Sequence, residues 1–395
     1  MHSTFLYRMG SVPGIYVSFT KNRAAWAYNC DMNKRRKTAI PNSPGRLGAL
    51  ILSTLLIAAC QPVSEIGALP QPSIAVTAEV PQSGPTPEMQ IEPTQTVSLT
   101  PQPIPGNPLA IESLRAREYP ASDLTIEQTL DPGANYQRYI ASYTSDGFTI
   151  YGLLTVPDAA SPEGGYPSIL FLHGYIPPDS YITTRDYVAS QDGLARSGFV
   201  TFKPDMRGHG RSEGEATGAH FSEAYIIDSL NAYAAMETDP LINPGRIGVW
   251  GHSNGGLIGL RMAVVSEKVK ASVFWGGVVG SYEDMLETYF SRIDFLQRLA
   301  PPVIEQYDLP SENPDYWNLV DPFPYLDAIT GPVQLHHGTS DDSVPVELSA
   351  SLSDALLDAG IPVDYFEYPG AGHNFYGDAF NQAMERTVAF FKENL

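Results

Sequence analysis

Ser253 lies in the run Gly251-His252-Ser253-Asn254-Gly255-Gly256, where a short apolar stretch, Arg246 to Trp250, gives way to a helical pattern, Leu257 to Ala263. A serine held between glycines at a strand-to-helix turn projects its hydroxyl above a sheet, open to an acyl carbon. The neighbours must be small because a Cβ there would strike adjacent backbone. The G-x-S-x-G spacing alone is weak, since Gly210-Arg211-Ser212-Glu213-Gly214 repeats it. Residues 206–209 do not read as a strand and nothing helical starts at Ser212, so Ser212 reads as a loop residue. Ser253 is the candidate nucleophile.

A serine hydroxyl is a poor nucleophile at neutral pH; it needs an imidazole to take its proton and a carboxylate to hold that imidazole's tautomer. Two later loops offer these groups, each directly after an apolar run. Gly338-Thr-Ser-Asp341-Asp342-Ser-Val344-Pro345 carries two candidate acids, Asp341 and Asp342. Gly370-Ala-Gly372-His373 carries the candidate base. The chain order is therefore Ser, Asp, His. A fourth strand end, Phe171-Leu-His173-Gly174-Tyr175, could aim the Tyr175 backbone N–H, together with that of Asn254, at a developing oxyanion. The other histidines have quieter readings: His173, His336 and His337 as structural hydrogen-bonders, His252 as packing, His209 and His220 as loop surface. Asp205 and Arg207 read as braces of their loop. Aromatics in 282–317 would line an acyl pocket or form a lid's own core.

The elements that must position these groups follow from periodicity. Tyr136 to Tyr143 and Phe148 to Val156 alternate on both sides of Asp146-Gly147, an antiparallel hairpin. Beyond Pro157, buried-type runs at 168–172, 199–203, 246–250, 271–275, 333–336 and 363–367 alternate with amphipathic stretches at 187–197, 222–237, 257–266, 346–359 and 378–394. That order predicts an α/β fold with a mostly parallel sheet and helices on both faces. The site then belongs beyond the strands' carboxyl ends. Residues from about 280 to 330 read as a helical cap or lid.

With these motifs in order, the chain resembles the α/β-hydrolases, and among them the catalytic domain of the prolyl oligopeptidase family of serine peptidases. The matching stretches are His173-Gly174, Asp205-Met-Arg207-Gly208-His-Gly210-Arg-Ser212, Gly251-x-Ser253-x-Gly255-Gly256, His337-Gly338-x-x-Asp341-x-x-Val344-Pro345 and Gly372-His373, over about residues 130–395. The resemblance implies Ser253 as nucleophile, His373 as base and, by spacing to Val344-Pro345, Asp341 rather than Asp342 as acid. It also implies Asn254 and Tyr175 as oxyanion donors and no cofactor. Two features depart from the pattern. The β-propeller usual in full-length members has no counterpart here, and His-Gly continues as Tyr175-Ile-Pro-Pro178 instead of a glycine run. Peptidase and esterase action both stay open, as does acyl transfer to an alcohol. A non-catalytic binding lipoprotein on the same scaffold is the reading from another class.

The N-terminal part is of another kind. The basic cluster Lys34-Arg-Arg-Lys37 precedes the 13-residue apolar run Leu47 to Ala59 and then Cys60. That run is short for a bilayer span and suits a secretory signal. Leu56-Ile-Ala-Ala-Cys60 resembles a bacterial lipobox, which implies lipidation of Cys60 and an extracytoplasmic, membrane-anchored protein; an ordinary signal peptide, leaving a secreted protein, or an N-terminal anchor helix is the alternative. Residues before Met32 add nothing such a signal requires. Residues 60–108 form a Pro/Gln/Thr-rich tether, with eleven prolines and no Lys or Arg after Cys60, which cannot bury a core. The catalytic domain is expected over 109–395. Cys30 and Cys60 are the only cysteines, so no disulfide framework is expected after processing, and no Cys/His pair has metal-ligand spacing. The formal charge of −20 argues against nucleic acid as a partner. A small ester or short peptide is the expected substrate, and the membrane the expected attachment.

Overall fold

The computed structural model describes residues 106–395 and, separately, two short strands near the N-terminus, β1 (Thr4–Arg8) and β2 (Tyr16–Thr20), which pair antiparallel. The signal-like run 47–59, Cys60 and the Pro-rich tether as far as residue 105 lie outside the described residues. Among the described residues no helix is long and apolar enough to cross a membrane.

The main body is built on one nine-stranded sheet in the order β11-β10-β9-β8-β6-β7-β5-β4-β3. Its antiparallel edge comprises β3 (Thr125–Thr129), β4 (Tyr136–Ser145) and β5 (Phe148–Pro157). The β4–β5 hairpin turns on Asp146 and Gly147, both at positive φ, in the expected register. The remaining strands, β6 (Tyr166–Leu172), β7 (Val200–Pro204), β8 (Ile242–His252), β9 (Ser272–Trp275), β10 (Val333–Gly338) and β11 (Val363–Tyr368), run parallel. This is the α/β-hydrolase arrangement that the alternation of apolar runs and amphipathic helices predicts.

Period-two alternation divides the sheet's side chains between two cores. Ile169, Phe171, Trp250, Val273 and Trp275 face α2 (Val188–Arg196) and α9 (Asp378–Asn394), where Leu194, Phe390 and Phe391 meet them. Leu170, Leu172 and Val249 face the other way, against α3 (Ala224–Thr238) and the nucleophile's helix α4 (Asn254–Val265). Phe274 and Leu335 share that side with Leu352 and Leu356 of α8 (Val346–Asp358), and Ile111 of α1 (Ile111–Ala116) packs with them. Both faces are covered, which is why these strands are apolar throughout rather than alternating with polar residues. Between β9 and β10 the chain makes α5 (Tyr282–Asp284), a π-helical turn over Met285–Tyr289, α6 (Asp294–Tyr307) and α7 (Pro314–Val320). These are the helices of the expected insertion.

Candidate active site

Strand β8 ends at His252 and α4 begins at Asn254, so Ser253 alone makes the turn. It does so at φ 56° and ψ −122°, a conformation that costs a non-glycine residue free energy and must be held by its surroundings. They are close. A Cβ on Gly255 would overlap the Leu172 carbonyl, and one on Gly251 would overlap the Gly255 carbonyl. The Ser253 N–H donates to the Trp275 carbonyl at 3.1 Å, and its own carbonyl accepts from Gly256 and Val278. The second G-x-S-x-G copy has none of this. Ser212 sits in a loop, where its Oγ accepts the Tyr151 N–H at 2.9 Å.

The other two candidate side chains meet beside this elbow. His373 Nδ1 lies 2.8 Å from Asp341 Oδ2. Gly276, directly after the Trp275 that holds Ser253, closes the gap between them: a Cβ there would lie 3.3 Å from both atoms. Asp341 is further bound through Oδ1 by the N–H groups of Ser343 and Val344, at 2.9 and 2.8 Å. Burial pushes its carboxyl up, but hydrogen bonds from His337 and His373 outweigh burial and hold it well below the usual carboxylate range. It is therefore ionised and obliges Nδ1 of His373 to carry the proton, leaving Nε2 as a lone pair. Among the described residues no hydrogen bond joins Ser253 Oγ to that lone pair, a looseness common where catalytic bonds tighten on substrate binding. Asp342 is exposed, and among the described residues its carboxylate is bonded only by the Ser343 hydroxyl next to it.

The expected oxyanion donors also lie at this end of the sheet. Asn254 opens α4, where N–H groups have no intrahelical partner. Tyr175 follows Gly174, and a Cβ on Gly174 would sit 2.9 Å from Ser253 Cβ, so the Gly174–Tyr175 peptide borders the nucleophile. The Tyr175 ring itself is exposed. Among the described residues no group of three or more His, Cys, Asp and Glu side chains is arranged to hold a metal ion.

The remaining histidines follow the sequence reading in part. His336 is fully buried between Tyr368 and Gln334, as a structural hydrogen-bonder should be. His337 bonds the Ser349 hydroxyl and Val344 carbonyl, and its Nε2 lies 3.2 Å from Asp341 Oδ2. Sequence position alone gave no sign of that second imidazole on the acid. His209 and His220 are not surface residues; both are buried. His209 packs on Tyr181, His173 and Tyr225. His220 lies among Phe221, Tyr289 and Phe290, covered by aromatic residues of the insertion that are far away in sequence. Burial takes its pKa down to about 3, the Arg261 charge adding to that and the Asn254 side chain opposing it. Arg207 braces its loop as expected, through Asp228 and Asp146. Asp205 does likewise through the hydroxyls of Tyr181 and Thr183.

Comparison with known proteins identifies the family. Residues 187–395 match the family model described as prolyl oligopeptidase family. The uncharacterized peptidase YtmA of Bacillus subtilis is 31% identical over 245 residues, spanning 62% of this chain and 89% of that protein. The uncharacterized peptidase YuxL of the same organism is 26% identical over 237 residues, 58% of this chain but 34% of that longer protein. Among solved structures, an acetyl xylan esterase from Paenibacillus sp. R4 superposes with a TM-score of 0.56 at 17% identity, covering 72% of this chain and 92% of that one. A Mycobacterium tuberculosis puromycin-hydrolyzing peptidase gives 0.52 at 22%, covering 67% and 40%. At such identities these structures share the fold.

Proposed function

The chain belongs to the prolyl oligopeptidase family and is a serine hydrolase; from that premise we propose that Ser253, His373 and Asp341 transfer an acyl group to water as nucleophile, base and acid. Ser253 Oγ attacks the carbonyl carbon while His373 Nε2 takes its proton, and Asp341 stabilises the imidazolium that forms. The negative charge grows on the carbonyl oxygen, where the backbone N–H groups of Asn254 and Tyr175 receive it. His373 then returns the proton to the leaving alcohol or amine as the carbon–oxygen or carbon–nitrogen bond breaks. Water, deprotonated by the same imidazole, then adds to the acyl carbon, and the bond to Ser253 Oγ breaks as His373 gives the proton back to that oxygen, releasing the carboxylic acid. The observation that carries this reading is the 2.8 Å Asp341–His373 bond beside a serine strained at positive φ.

The substrates are small esters or the amide bonds of short peptides. Peptidase action draws support from YtmA, a named peptidase matched over most of its length. An esterase without peptidase activity is the second reading, favoured by Tyr175-Ile-Pro-Pro178 standing where a glycine run would follow His-Gly. Nitrophenyl esters of several chain lengths, compared with proline- and alanine-type peptide anilides, separate the two. Turnover of both supports a peptidase, and ester turnover alone supports the esterase. Activity surviving Ser253→Ala would reject the assignment of the nucleophile.

By sequence, the catalytic body 109–395 follows an N-terminal extension and lipoprotein-type signal peptide, 1–59, and the tether 60–108. The protein is accordingly a cell-envelope lipoprotein attached through Cys60, supported by the basic cluster, the 13-residue apolar run and the lipobox-like Leu56-Ile-Ala-Ala-Cys60. Cys60→Ser should move it from the membrane to the soluble fraction; unchanged fractionation would contradict the anchor.

A further inference from the structure

Tyr187 adopts φ 62° without being glycine, just before α2 and far from the three catalytic side chains in sequence. Its hydroxyl lies between two loops of the site, and the contacts it makes there hold a backbone conformation that is costly for a non-glycine residue. Gly174 N–H lies 3.0 Å from Tyr187 Oη, and Tyr187 Oη lies 2.7 Å from His252 Nδ1. His252 Nε2 in turn lies 2.9 Å from the His373 carbonyl. The direction of every bond in this chain is fixed by chemistry. An amide N–H can only donate, so the tyrosine oxygen accepts from Gly174 and spends its one proton on His252 Nδ1. That nitrogen must then be a lone pair, so the neutral ring carries its proton on Nε2. A carbonyl can only accept, and the Nε2–H goes to His373. Burial keeps the His252 ring neutral, with its pKa down to about 3.

We propose that Tyr187 and His252 are positioning residues, whose hydrogen bonds tie the oxyanion-loop peptide at Gly174 to the backbone of His373, so that both loops are set against the Ser253 elbow together. The inference rests on Ser253 and His373 carrying the chemistry. Its physical content is that the His173–Gly174 peptide is held by the tyrosine oxygen, which anchors the chain one residue before the Tyr175 N–H. The base loop is held through its carbonyl, which leaves both imidazole nitrogens of His373 free for Asp341 and the nucleophile. His252 is adjacent to Ser253, so the link crosses the site behind the reacting atoms. Ring contacts of Tyr187 with Phe171 at 6.0 Å and Trp250 at 6.3 Å keep the ring in place without its hydroxyl.

Tyr187→Phe therefore removes the link and retains the packing. Active sites are counted by titration with an irreversible phosphonate, so that misfolded protein does not enter the comparison. Turnover of a nitrophenyl ester per titrated site should fall about 10–100-fold with KM within about two-fold, because the lost alignment matters where the oxyanion forms. His252→Gln should give a loss of similar size. The double variant should be no slower than the slower single one, as expected for residues acting through one chain. Unchanged turnover per titrated site in Tyr187→Phe, or losses that multiply in the double variant, would overturn the link. Ser253→Ala is measured alongside: if it turns over substrate, the catalytic assignment falls and the link with it, whereas an inert Ser253→Ala beside an unaffected Tyr187→Phe rejects the link alone.

Discussion

Asp341 gathers hydrogen bonds on both carboxylate oxygens, from two backbone N–H groups on one and two imidazoles on the other. Such a set serves a carboxylate that must stay ionised while a positive charge comes and goes next to it. An amide in its place presents N–H groups where His373 Nδ1–H now donates, which forces the other tautomer and removes the lone pair that accepts the serine proton. Asp341→Asn should therefore lower kcat about 10⁴-fold with little change in KM, measured on a nitrophenyl ester. Asp342→Asn should stay near the parent, and a reversal of these two effects would move the acid by one residue. The choice between neighbouring aspartates is not visible in local sequence, because both follow β10 at the same loop. The family spacing pointed to Asp341, and the burial of its carboxylate gives the physical reason. The second imidazole, His337, was legible only as a strand-end histidine, since its reach to Asp341 depends on how the loop folds back.

Between β8 and α4 the elbow is a packing problem before it is a catalytic one. Gly255 meets the Leu172 backbone so closely that no side chain can be inserted without moving β6, the strand that leads to the oxyanion loop. Gly255→Ala should destabilise the fold by about 2–4 kcal/mol, read from urea denaturation, and should depress turnover per folded molecule as well. An unperturbed alanine variant would mean that the elbow is looser than its contacts imply. This element was legible because glycine spacing reports backbone approach directly. The main strands and helices were legible for a similar reason, as both faces of the sheet are covered. Strand β3, Thr125–Thr129, was not: it is an edge strand exposed along its length and carries no apolar alternation to mark it. The π-helical turn at Met285–Tyr289 has no distinctive pattern either. The burial of His209 and His220 depends on contacts with partners distant in sequence.

The whole domain stores an imbalance of protons. His173, His220, His252 and His336 are each lowered to about 3, with burial the largest cause. Asp205 and Asp321 are raised to about 6, again chiefly by burial. Near pH 5 the unfolded chain protonates the four histidines while the folded one does not; the two carboxyls are protonated in the folded chain and ionised in the unfolded one. The histidines outnumber the carboxyls, and His209 and Asp341 are lowered as well, so the unfolded state binds more protons and stability falls as pH is lowered from 6.5 toward 4. Urea midpoints across that range should drop steeply, and a flat profile would contradict neutral burial of these rings. The central claim is that, of all the serines in the molecule, one is activated. It is tested most directly by treating the intact protein with a fluorophosphonate and mapping the adduct by tryptic mass spectrometry. Cleavage after Arg246 and Arg261 leaves Ser253 as the only serine in its peptide. A single adduct on that peptide is predicted, whereas an adduct on the peptide that begins at Ser212, or no adduct at all, would contradict the account.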